Sequence, residues 1–181
     1  VKGAAHPRLI VSLPLTSAQL EYVCHMKPPK ALEAVGRLVA AARALCGDVE
    51  FSCEDVTRAE EPFALEAIRV AVRSGAGRVA LCDSAGLSLP GEMAALVGAA
   101  QAAAGPDTVL SVRCANELNL ALACSVSALQ AGADEVKTAY AWDGAADAAA
   151  VAQLLRSRGA DLQLESGVDG TRVRRTAGEI A

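Results

Sequence analysis

The stretch Ser74-Gly75-Ala76-Gly77-Arg78-Val79 returns as Ala131-Gly132-Ala133-Asp134-Glu135-Val136. At both places a glycine stops a helical pattern and a strand begins directly after it. Outward from these junctions, strands start near residues 48, 78, 108 and 135. The period is about 30 residues or slightly less, the length of one strand plus one crossover helix in a parallel sheet.

The same alternation fills the chain. Residues 8–15 are apolar and β-rich and read as a strand. Pro28 and Pro29 open a helix to about Cys46, in which Leu32, Val35, Leu38, Val39 and Ala42 recur at helical spacing before Gly47. Strands are expected at 48–52, 78–82, 108–114 and 135–140. Helices are expected at 62–74, 90–104, 117–131 and 147–158, with Gly75, Gly132 and Gly159 as stops. Residues 161–165 read as a last short strand. No linker or shift of composition divides the chain, so residues 1–160 form one barrel-like domain and 161–181 an exit segment.

A closed (β/α)₈ barrel takes ~250 residues and at least about 200. This chain has 181. The expected fold is therefore α/β: a partial TIM barrel of about five to six parallel βα units, or the same units opened into a flatter sheet. Both forms leave unpaired strand edges, which proteins cover or pair. A homo-oligomer, or a partner chain over those edges, is expected on that arithmetic.

Composition narrows the class. Hydrophobic residues make up 52% and aromatics only 3%, so the core is built from Ala, Val and Leu. The net charge is −4 and the pI about 5.2, which argues against nucleic acid; Arg172, Arg174 and Arg175 read as solvated surface. No apolar run approaches the ~18 residues of a membrane span, and residues 93–104 are too short. No signal segment opens the chain, and its start at Val1 rather than Met reads as trimming or processing. Cys24, Cys46, Cys53, Cys82, Cys114 and Cys124 form no C-x-x-C pair. They read as small buried hydrophobes in a reducing cytoplasm rather than as a disulfide framework. His6 and His25 both read as solvated, and no Ser-His-Asp or Cys-His set can be assembled.

Several motifs carry a family resemblance. Asp48-Val49-Glu50-Phe51-Ser52-Cys53-Glu54-Asp55, with Thr57 and Arg58, matches V-E-F-S-x-E-D-x-x-R. Cys82-Asp83-Ser84-Ala85-Gly86 with Pro90-Gly91-Glu92 matches D-T-x-G-x-x-x-P-x-E. Glu21-Tyr22, Met26 and Pro28 fit an earlier segment, and Gly167-Val168-Asp169-Gly170-Thr171-Arg172 fits a barrel exit. With these, the chain resembles the isopropylmalate synthase and homocitrate synthase group of the HMG-CoA lyase-like metal-dependent TIM barrels. The likeness covers the later part of that barrel.

The resemblance implies a divalent metal held by an Asp on the first strand, a His-x-His and an Asn after the last strand, with acetyl-CoA as substrate. Alternation on a strand lets His-x-His grip one ion. Here Ser111-Val112-Arg113-Cys114-Ala115-Asn116-Glu117-Leu118 keeps the N-D-L-like ending but places Arg113 and Ala115 at the two histidine positions. Arg has no lone pair to give and Ala no donor. The Asn position falls near Ala149, and the first-strand Asp and Arg have no counterpart in this sequence. No metal and no cofactor are expected.

What survives is a remnant pocket of Glu50, Ser52, Glu54, Asp83, Arg113 and Lys137. Glu50, Ser52 and Glu54 share one strand face, as do Ser111, Arg113 and Ala115. If both faces point inward, Arg113 pairs with Glu50 or Glu54, a fixed cation in the metal's place, and Lys137 joins them. Asp83-Ser84 reads first as a helix-leading turn and second as a residual site. Trp142 beside Tyr140 reads as an apolar plug or contact surface ahead of a ligand platform. The chain therefore reads as a degenerate relative without metal-dependent condensing activity, a self-associating or partner-binding fragment. The alternatives are an acyltransferase completed by another chain, or a module binding a small acid.

Overall fold

In the computed structural model, which describes residues 3–140 and 144–180, elements follow in a regular order. They are β1 (Leu9–Pro14), a short α1 (Ser17–Tyr22), α2 (Pro28–Leu45), β2 (Val49–Glu54) and a 3-10 turn (Val56–Arg58). Next come α3 (Glu61–Arg73), β3 (Arg78–Asp83), α4 (Pro90–Ala104), β4 (Val109–Cys114) and α5 (Ala121–Gln130). Last are β5 (Glu135–Val136), β6 (Thr138–Ala139), β7 (Ala146–Asp147), α6 (Ala148–Leu162) and α7 (Gly170–Ile180). Prolines stand in the first turns of α2, α3 and α4, where a missing N–H and a fixed φ suit a helix start.

β1 to β5 form one parallel sheet in sequential order. One face carries Val49, Phe51, Cys53, Val79, Leu81, Leu110, Val112 and Cys114, which are buried in the core with Val35, Val39, Ile68, Met93 and Val97 of the helices. Burying a side chain such as Phe51 or Leu81 completely contributes ~1.5–3 kcal/mol each. The opposite face is polar. Its middle row runs Ser12, Ser52, Ala80, Ser111, Glu135 across the five strands.

That polar face is concave. Lys137, directly after β5, pairs through Nζ with Glu50 on β2. β2 and β5 are three strand spacings apart, about 14 Å on a flat sheet. Side chains stand roughly perpendicular to a sheet, so on a flat one these two could not meet across that distance, and the sheet curls toward this face. The sheet is a segment of a barrel, and the flatter open sheet is ruled out.

The repeated junction is a structural repeat. Gly75 and Gly132 both have φ of +107°, and the N–H three residues past the helix end closes on the helix in the same way. Ala76 donates to the Ala71 carbonyl and Ala133 to that of Ala128, each at 3.0 Å.

Four expected elements are corrected. The helix expected over 117–131 begins at Ala121, because Asn119 is left-handed (φ +58°) and the Asn116 side chain accepts from the Ala121 N–H. The strand expected over 135–140 splits: Glu135–Val136 stays on β4, while Thr138–Ala139 leaves to pair with Ala146–Asp147. The strand expected over 161–165 does not form. α6 runs on to Leu162, Gln163 turns left-handed, and 164–169 has no ladder partner. Gly159 is accordingly no helix stop: a Cβ there would stand 2.5 Å from the Leu164 carbonyl oxygen, and the glycine admits that close return of the chain. The exit segment from Gly170 onward is helical, as α7.

Candidate functional site: a polar concave face

The concave face has two ionic levels. At the N-terminal end, Arg8 Nε lies 2.9 Å from Asp48 Oδ2 and Arg78 Nε 3.2 Å from Asp48 Oδ1. Arg78 continues to Glu135 at 2.5 Å. For Asp48, burial alone would raise the pKa; the Arg8 hydrogen bond and the two guanidinium charges outweigh it and hold the carboxyl below its ordinary value. Sequence reading passed over Arg8, Asp48, Arg78 and Glu135. Their local signal was charge at the strand starts, each standing at or just before the first residue of β1, β2, β3 or β5.

Glu50 is fully buried. Its Oε1 takes Lys137, and Arg8 Nη1 stands 3.5 Å from Oε2. The second contact is electrostatic only, since Oε2 has no hydrogen bond. Among the described contacts, Lys137 and Arg8 are the cations at Glu50. Glu54 is held by hydroxyls: Ser52 at 2.7 Å, Ser84 at 3.1 Å and Ser12 at 3.2 Å. Burial works to raise the Glu54 pKa, and those three donors reverse it, so the carboxyl sits below its ordinary value. Ser12 and Ser84 come from β1 and the loop after β3, beyond the reach of local sequence pattern.

Arg113 is half-buried near the end of β4. Val112 pairs with Val136, so Arg113 and Lys137 occupy neighbouring positions on the same face. The hydroxyl of Ser111, two residues earlier, is buried without a hydrogen-bond partner among the described residues. Ala115 is bound through its backbone: it bridges Ala145, and the Asn116 N–H donates to the Gly144 carbonyl at 2.7 Å. Ala149 lies in the first turn of α6, with Asp147 as cap. Trp142 lies outside the described residues.

Asp83 is a turn residue. Its side chain is buried and accepts from the N–H groups of Gly86 and Ser88, each at 3.1 Å, and from Thr57 Oγ1 at 2.9 Å. At Cys82 and Cys114, burial disfavours the thiolate. Burial pushes Cys82 up to about 11, despite the Ser52 hydrogen bond and the charges of Lys137 and Arg113. Burial likewise takes Cys114 to about 12.

With this geometry in place, the HMGL-like family model matches residues 1–178. The 2-isopropylmalate synthase of Xanthomonas oryzae pv. oryzae is 37% identical over 181 residues, 96% of this chain and 34% of the relative. The chain belongs to the HMGL-like family. The 2-isopropylmalate synthase of Caulobacter vibrioides is 34% identical, over 98% of this chain and 35% of its own length. This HMGL-like chain therefore spans about a third of the curated relatives it matches. Among solved structures, the hydroxymethylglutaryl-CoA lyase of Pseudomonas aeruginosa superposes with a TM-score of 0.80 at 19% identity. The match covers 95% of this chain and 61% of that one, which makes the fold a partial barrel. The carboxyl transferase domain of Rhizobium etli pyruvate carboxylase superposes with a TM-score of 0.58 over 72% of this chain.

The residues of this HMGL-like chain do not fit the divalent ion that the family resemblance implies. The two strand positions that would grip it are Arg113 and Ala115, and Lys137 adds a second cation beside Arg113. Glu54 and Asp83 already accept three hydrogen bonds each. Among the described residues, no three His, Cys, Asp or Glu side chains gather so as to hold a metal ion. No described helix is long and apolar enough to cross a membrane.

Proposed function

We propose that this chain is an HMGL-like barrel segment that does not condense acetyl-CoA with a 2-oxo acid and works as an associating or partner-binding fragment. The observation that carries the reading is the donor set at the C-terminal end of the concave face: Arg113 and Lys137 side by side, and Ala115 with no donor. A Lewis acid that polarises a keto group needs lone pairs to hold it, and neither Arg113 nor Ala115 offers one. The test is thiol release from acetyl-CoA with 2-oxoisovalerate, with and without Mg²⁺ or Mn²⁺, alongside metal analysis of the purified chain. No release above the uncatalysed rate is expected; metal-stimulated release would overturn the reading.

A further inference from the structure

α6 and α7 carry five arginines: Arg156, Arg158, Arg172, Arg174 and Arg175. Three of them have a carboxylate close by in the chain. Arg158 Nε stands 2.9 Å from Asp161 Oδ2, Arg172 Nε 3.3 Å from Asp169 Oδ2 and Arg175 Nε 3.8 Å from Glu179 Oε1. Arg156 and Arg174 have no carboxylate within ion-pair distance among the described residues.

The fold brings these two together. Gly170, at the start of α7, lies against α6: the Cβ of Ala152 is 3.7 Å from where a Gly170 Cβ would be. Arg174 stands one turn further on, so it falls on the same side of α7. Its Nη2 donates to Gln153 Oε1 at 2.8 Å, and Arg156 Nη2 donates to the same oxygen at 2.7 Å. Gln153 Nε2 donates to Ser157 Oγ at 2.9 Å. A guanidinium only donates, so the amide must turn its oxygen to the arginines. One neutral oxygen thus gathers two cations, with the two Nη2 atoms within about 5.5 Å of each other, where like charges repel. Both lone pairs of that oxygen are used, while most N–H groups of the two guanidiniums are not.

We infer that Arg156 and Arg174 bind a phosphate group across the α6–α7 junction, either the free ion or the end of a phosphate monoester. Charge selects this ligand. The pair brings two positive charges and no acid, and a phosphate monoester carries about −1.5 to −2 at pH 7. A single carboxylate would leave one guanidinium unbalanced.

Shape selects it too. Guanidiniums presented from two helices reach oxygens on different sides of a tetrahedral group, whereas a planar carboxylate is matched by one guanidinium in a parallel fork. Gln153 is the positioning residue. It holds both heads at one point before the anion arrives, so less side-chain freedom is lost on binding. Neither arginine belongs to the concave face, so the site stands whether or not that face is catalytic.

Phosphorus NMR of inorganic phosphate and of glycerol phosphate, each titrated with the chain at fixed ionic strength, tests it. Saturable binding is expected with a Kd of roughly 1–5 mM, the range that two charge-assisted contacts supply. Arg156→Gln and Arg174→Gln should each weaken it at least ~10-fold. Arg172→Gln and Arg175→Gln remove the same charge from α7 but from acid-paired positions, and should leave the Kd within about twofold. All four side chains are exposed, so circular dichroism should not change; Arg156→Gln, on the other helix, decides the matter if Arg174→Gln loosens α7. A tighter ester marks a phosphorylated ligand and tighter inorganic phosphate the free ion, and either supports the site. Equal weakening by all four variants would reveal a diffuse field and overturn it. So would acetate competing as well as phosphate, or no saturation by ~20 mM.

Discussion

Replacing Lys137 by Met tests whether the concave face is an ionic interior. Glu50 is fully buried, while the Lys137 side chain is 30% exposed. Without the ammonium, Glu50 keeps, among the described contacts, Arg8 at 3.5 Å, a side chain 34% exposed. Removing one partner of a buried ion pair costs ~3–5 kcal/mol; the partial exposure of both cations lowers the expected loss to about 2–4 kcal/mol. For a chain of this size the Tm should fall by roughly 5–15 °C. Adding Glu50→Gln in the Lys137→Met background removes the stranded charge and should restore at least half of the loss. Urea unfolding followed by circular dichroism gives each free energy, and the three chains form most of a double-mutant cycle. A Lys137→Met chain within about 0.5 kcal/mol of wild type would refute the reasoning, and with it the pair as a brace across the curled sheet.

Three further outcomes are expected. Gly86 has φ of +64°, and a Cβ there would stand 2.9 Å from the Ala115 carbonyl oxygen and the Glu117 nitrogen; Gly86→Ala should cost roughly 1–3 kcal/mol in the same unfolding assay. Because the Glu54 pKa is lowered in the folded state, its contribution is full above the ordinary glutamate value and is lost as pH falls through the folded value; Ser84→Ala removes one donor and should shift the acid unfolding midpoint to higher pH, whereas an unchanged midpoint would discount the hydroxyl cage. Ellman's reagent at pH 8 should react quickly only with the half-buried Cys24, and with all six thiols in guanidinium chloride, since the other five are buried; two or more fast thiols in the native chain would contradict the packing of Cys82 and Cys114.

The parallel architecture was legible because it is written locally. Gly75 and Gly132 mark a backbone conformation that side chains avoid, and the prolines at 28, 62 and 90 mark helix starts. That Glu50, Ser52 and Glu54 share one strand face followed from alternation alone. Partners were a different matter. Glu50 takes a lysine from three strands away, and that choice depends on how far the sheet curls, which periodicity does not encode. Glu54 draws hydroxyls from three separate segments for the same reason. The ends failed for local reasons: Asn119 took a left-handed conformation usually given to glycine, and Gly159 served a close backbone contact rather than a helix stop.

The sequential strand order has a consequence for how the molecule is made. Each strand pairs only with the strands before and after it in the chain. Loop closure therefore never spans more than one βα unit, and its entropic cost stays nearly constant along the chain. Such a chain can assemble unit by unit, each strand docking on the one before it. The last strand to dock, β5, holds only two residue pairs. Hydrogen exchange should accordingly be fastest near β5 and slowest at β2 and β3, which are paired over four or more residues on both sides.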